Sequence, residues 1–176
     1  MLFETWSTRW NAGAGRWDAG SGATFNLATN ARRPDGWTSA DAAGLAIFPG
    51  LVRHDEVGSA NPIPHAFRVT TRATNGYVWP ASHAAGSTSG APPMGARLRL
   101  KASVNIGGYP ADVRKIFQAM KTYGLIVADN GTDMYVSGTM DPVWDNDVLN
   151  PAFHSLKADD FEVIQRGWNP QNVGVP

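Results

Sequence analysis

The sequence contains no cysteine, which removes a disulfide framework, a thiolate-bound metal and a thiol nucleophile together. It is also poor in charge. Asp, Glu, Lys and Arg make up 17% of the chain and the formal net charge is zero, where ordinary globular chains carry about a quarter charged residues. There is no basic run, so nucleic acid is not an expected partner; a phosphate backbone is held by clustered Lys and Arg. No stretch approaches the roughly 18 consecutive apolar residues of a membrane span, and a membrane is not an expected partner either. Residues 1–12, MLFETWSTRWNA, lack the basic start and apolar stretch of a signal peptide. Gly-x-Ser-x-Gly, Walker and dinucleotide fingerprints are absent, which argues against a common serine hydrolase, an NTPase and a Rossmann enzyme.

What stands in place of charge is seven Trp, 19 Gly and 12 Pro among 176 residues. That mixture favours short strands and many turns. The alternation of apolar and polar residues predicts strands over 2–6, 23–27, 51–57, 65–71, 77–79, 97–102 and 160–164. Asn130-Gly131 supplies the positive φ angles of a tight turn, so 125–128 and 133–137 are expected to form an antiparallel hairpin. Val113, Ile116, Phe117 and Met120 follow helical spacing, with Pro110 before and Gly124 after, and predict one substantial helix over about 110–122. A short capped helix is expected over 40–43. The expected architecture is mainly β: an antiparallel β-sandwich or jelly roll with one packed helix, a single β-rich domain over 1–176 with a loose tail at 169–176.

The apolar strand pattern already at Leu2–Trp6 leads to a further expectation. The chain reads as the C-terminal part of a longer natural protein, with an interior strand at its start. An unpaired strand edge invites another chain, so a homodimer, or association with the missing segment, is expected near residues 2–6.

Five groups of residues carry possible chemistry. Glu56, beside Asp55, and His65 could form an acid–base pair, if the alternation of the strands places them on one face; the plain alternative is a hydrogen-bonded core histidine and a solvated strand end. Asp129, Asp133, Asp141, Asp145 and Asp147 offer closely spaced oxygens, with Asp129, Asp141 and Asp147 as candidate Ca²⁺ ligands, although turns use Asp and Asn for their own hydrogen bonds. Trp37, Trp79, Trp144 and Tyr77 could stack on sugar rings, or simply fill the core. His54, His65 and His83 could form a three-histidine metal site, but their spacing matches no short ligand motif. Arg97, Arg99 and Lys101 share one strand face, either solvated or turned to the carboxylate of an acidic glycan.

One resemblance to a known family covers nearly the whole chain. The resemblance is carried by Gly36-Trp37-Thr38-Ser39-Ala40-Asp41-Ala42-Ala43-Gly44-Leu45, Pro49-Gly50-Leu51-Val52-Arg53 with Asp55-Glu56-Val57, and His65-Ala66. It continues through Tyr77-Val78-Trp79-Pro80-Ala81 with His83, Pro92-Pro93-Met94-Gly95-Ala96-Arg97, Leu100-Lys101-Ala102, Asp129-Asn130-Gly131 and Asp141 with Trp144-Asp145. These stretches resemble those of a family of secreted bacterial proteins without an assigned activity; the resemblance implies secretion and a longer natural chain, and supplies no mechanism.

The residues together lead to two expectations. The first is a secreted, glycosidase-like hydrolase acting on glycans, with Glu56, His65 and Asp145 catalytic and Trp37, Trp79, His83 and Trp144 on the substrate. It needs no cofactor beyond a possible structural Ca²⁺. The second is a non-catalytic carbohydrate-binding or surface module of the same fold. A hydrolase needs two carboxyl groups facing each other at about 5 to 9.5 Å; a binding module needs only aromatics and polar groups.

Overall fold

The computed structural model describes residues 1–164. Its centre is a four-stranded sheet in the order β5 (Phe67–Thr71), β7 (Leu125–Asn130), β6 (Arg97–Leu100), β8 (Phe161–Ile164). β5 and β7 run parallel, while β6 is antiparallel to both β7 and β8. Helix α2 (Ala111–Thr122) buries Val113, Ile116, Phe117 and Met120 in one core with Phe67, Val69, Leu100, Leu125 and Val127. The 3.6-residue period put those four side chains on one stripe, and the stripe is what the sheet covers. Gly124, at φ +81°, ends the helix where a Cβ would lie 2.3 Å from the Leu98 carbonyl oxygen, so only glycine fits.

The chain is mixed α/β, which overturns the β-sandwich or jelly roll with a single helix. Among the described residues there are three helices, two of them substantial, and the sheets do not close. Helix α1 (His54–Gly58) stands where a strand over 51–57 was expected, and Lys115 of α2 fixes its end by donating to the Glu56 and Val57 carbonyls at 2.6 and 3.0 Å. Helix α3 (Asn146–Ser155) begins at the end of the Asp141–Asp147 stretch and was not among the expected elements; Asp145 caps it, accepting from the backbone of Asp147 and Val148 at 3.1 Å each. Residues 40–43 form turns instead of a helix.

The expected hairpin also resolves differently. After Asn130 the chain crosses the end of β5, and 134–138 runs along the far edge of β5, with a bridge between Val69 and Val136. Asn130 is held by Thr74 Oγ1 and donates to the Ala85 carbonyl at 2.9 Å, so the Asn-Gly pair serves a crossover. Residues 77–79 bridge Met94 without forming a strand.

The first 25 residues form a two-tier ribbon: β1 (Leu2–Trp6) pairs antiparallel with β4 (Ser21–Phe25), and beyond them β2 (Arg9–Asn11) pairs with β3 (Arg16–Asp18). Glu4 ties the ribbon to the body by accepting from the backbone of Ile47 and Phe48 at 2.9 and 2.8 Å. The expected tail at 169–176 lies outside the described residues. None of the described helices is long and apolar enough to cross a membrane.

Candidate functional site

A cleft of about 600 Å³ lies on the sheet face away from α2. Cross-strand register explains its floor. Arg97 of β6, Ile126 of β7 and Arg68 of β5 stand opposite one another in adjacent strands, so all three side chains leave the same face. Phe25, Leu27, Leu45, Trp79 and Tyr123 wall the cleft, and Asp41 and His65 line it.

Arg68 is the most heavily engaged group. Its Nε and Nη2 donate to Asp41 Oδ2 at 3.1 and 3.0 Å, its Nη1 donates to Ser137 Oγ at 2.8 Å, and Asp129 Oδ2 lies 3.7 Å from Nη2. Asp129 reaches it because of a bulge. Val127 pairs with Val69, but the next pair is Asp129 with Thr70. One residue is skipped, and Asp129 turns to the face of Arg68 instead of following Val127 toward α2. The bulge leaves the Ala128 carbonyl to accept from the Ala43 backbone at 2.9 Å, which anchors the loop that presents Asp41. Asp41 also accepts from the same Ala43 N–H at 3.0 Å.

The Asp41 side chain is completely buried. Burial pushes its pKa up to about 6, against the opposing pull of Arg68 and with a small upward push from Asp129. A carboxyl group poised there can hold or release a proton near neutral pH. Arg97 differs from Arg68: it has no ion pair among the described residues, and its buried Nε–H has no acceptor.

The residues singled out in sequence are scattered over the cleft, a second groove and positions that line neither. His65 and Trp79 line the cleft. Glu56 lies directly behind His65, with Oε2 2.9 Å from Nε2, and is also held by Arg53; His65 Nδ1–H donates to the Ala66 carbonyl at 2.9 Å. His83 faces the Ala42 carbonyl at 2.9 Å, and Trp37 is exposed beneath the Arg33 guanidinium. Trp144 and Asp141 line a second groove of about 520 Å³ between α3 and residues 133–141. There Trp144 Nε1 donates to the Thr139 carbonyl at 2.7 Å and its ring meets His54 edge-on. Asp145, capping α3, does not join Glu56 and His65 as a set.

Among the described residues no three His, Asp or Glu side chains gather as a metal site. Asp129 serves Arg68, Asp141 accepts from the Val143 backbone at 3.0 Å, and Asp147 is exposed in the first turn of α3. The three histidines have separate partners. Sequence reasoning placed Asp41 within a short capped helix over 40–43 and Arg68 within a strand over 65–71, and gave neither a role in the site. No local signal marks Arg68, because alternation with Phe67 and Val69 puts it on the opposite face, where an arginine is ordinarily solvated.

Comparison with family models, with curated proteins and with solved structures returns no match to the chain.

Proposed function

We propose that this chain recognises carbohydrate in the cleft over Arg68, Ile126 and Arg97. The observation that carries the reading is the composition of that cleft: an indole wall at Trp79 beside the guanidinium groups of Arg68 and Arg97, above an apolar floor at Ile126. Sugars present an apolar C–H face and a polar rim, and such a lining meets both. Secretion, which the family resemblance implies, belongs to the same proposal.

Recognition is favoured over hydrolysis because the carboxylates expected to work together are already committed: Glu56 to Arg53 and His65, Asp145 to the start of α3. One observation favours hydrolysis as the second reading, namely the protonatable Asp41 with Asp129 across the same guanidinium. Calorimetric titration of the chain with a panel of neutral and acidic oligosaccharides tests the first reading. Binding is expected, with at least a tenfold loss in Trp79→Ala and an unchanged circular dichroism spectrum. No binding to any of the panel, or equal binding by Trp79→Ala, would remove it. Release of reducing ends by the wild type but not by Asp41→Asn would move the assignment to the second reading.

A further inference from the structure

We infer that the cleft selects a sugar bearing a carboxylate, and that Arg97 receives the acid group. This rests on the carbohydrate reading and names its ligand class.

The inference comes from matching each cation of this face to its anion. Arg68 is paired with Asp41 and approached by Asp129. Arg32 is paired with Asp35 at 2.8 Å. Arg99, two residues along β6 and on the same side as Arg97, is paired with Glu162 at 2.6 Å. Arg97 stands among them with no carboxylate among the described residues, although it lines the cleft and its Nε–H is buried without an acceptor. Burial, with nothing to offset it, pulls its pKa below the ordinary arginine value. A desolvated guanidinium costs stability unless an anion completes it, and its planar fork matches a carboxylate through two parallel hydrogen bonds.

The charge of the ligand follows from the same surroundings. Arg97 offers a single guanidinium without an ion pair among the described residues, which suits a ligand with a single carboxylate. A phosphate dianion would bring a second negative charge into a cleft that already holds Asp41 and Asp129, and like charges repel strongly where water is excluded. The spacing supports a ligand of sugar size: Arg97 and Arg68 are two strands apart, roughly 10 Å at the usual sheet spacing, with Ile126 between them as an apolar seat.

Calorimetry with oligogalacturonate, oligomannuronate and sialylated oligosaccharides, each beside its methyl ester, tests this directly, because the ester keeps the ring and removes only the charge. At least one acid is expected to bind ten times or more tightly than its ester at low salt, with the advantage shrinking as salt rises. Arg97→Gln should erase the difference, and Arg97→Lys, which keeps charge but not the fork, should restore part of it. Since the substitution removes an uncompensated charge, Arg97→Gln should melt no lower than the wild type, so lost binding cannot be ascribed to unfolding. Acid and ester binding alike, in the wild type and in Arg97→Gln, would overturn the inference and leave the carbohydrate reading standing. Binding of neutral sugars alone would do the same, and binding of nothing would end both.

Discussion

The two faces of the four-stranded sheet are made by alternate residues of the same strands, yet they are built on different principles. Toward α2 the strands send Phe67, Val69, Leu98, Leu100, Leu125 and Val127, all apolar. Toward the cleft they send Arg68, Thr70, Ile126, Asp129, Arg97 and Arg99. The first face is held by area removed from water, which needs shape but no particular partner. The second is held by pairing, Arg68 with Asp41 and Asp129 and Arg99 with Glu162, while Arg97 has no ion pair among the described residues. Alternation along each strand therefore divides core from cleft, except at the bulge, where Asp129 leaves the side of Val127.

The comparison can be broken most forcefully on the apolar face. Phe117 is fully buried against the sheet, and Phe117→Ala is expected to cost about 3–5 kcal/mol in urea denaturation. A loss below about 1 kcal/mol would mean that α2 is not the lid of the core. Next comes the pH response of the charged face. Asp41 has a folded pKa of about 6 against 3.8 for the free group. The folded state therefore binds more protons than the unfolded state between about pH 4 and 6, and stability falls as pH rises through that window. The size is on the order of 3 kcal/mol. Asp41→Asn should flatten that slope whatever it does to stability at one pH; parallel denaturation curves from pH 4 to 7 would show it, and equal slopes would refute it.

Smaller effects sharpen the contrast. Asp145→Ala removes two hydrogen bonds from the start of α3 and should cost about 1 kcal/mol, with faster amide exchange confined to 146–149. Least of all, Arg99→Ala breaks a pair whose members are 46% and 42% exposed. It is expected to cost no more than about 0.5 kcal/mol and nothing at high salt. A large loss there would show that the rim of the charged face is as tightly coupled as its centre.

Parts of this arrangement are legible in the sequence because their signals are local. Val113, Ile116, Phe117 and Met120 announced α2 to within a residue or two, and Arg97 alternating with Leu98 and Leu100 announced β6. What stayed hidden depends on distant partners. Helix α3 contains Pro151 and opens with Asp145-Asn146-Asp147, which by composition is turn chemistry; only the packing of Leu149, Ala152 and Phe153 on the core makes it a helix. Helix α1 is barely more than a turn, too short for a period to show. Asn130-Gly131 gave a hairpin signal, but β5 takes the position beside β7 that a hairpin partner would have filled. Within the site, His65 and Glu56 were paired as adjacent candidates, although they meet between a helix and a loop instead of along strands. Asp41 and Arg68 are 27 residues apart, and no local pattern connects them.

The bulge in β7 has a consequence best stated as a matter of chain length. β7 carries one residue more than its pairing with β5 requires. Shortening the strand by that residue would still leave Asp129 opposite Thr70 and the sheet intact, because the shortened strand would simply be regular. What would vanish is the spare carbonyl of Ala128 that secures Ala43 and, through it, the loop bearing Asp41. The surplus residue is a splice between two parts of the chain some 85 positions apart in sequence, and a single-codon deletion would cut that splice while leaving every charged side chain of the site in the protein.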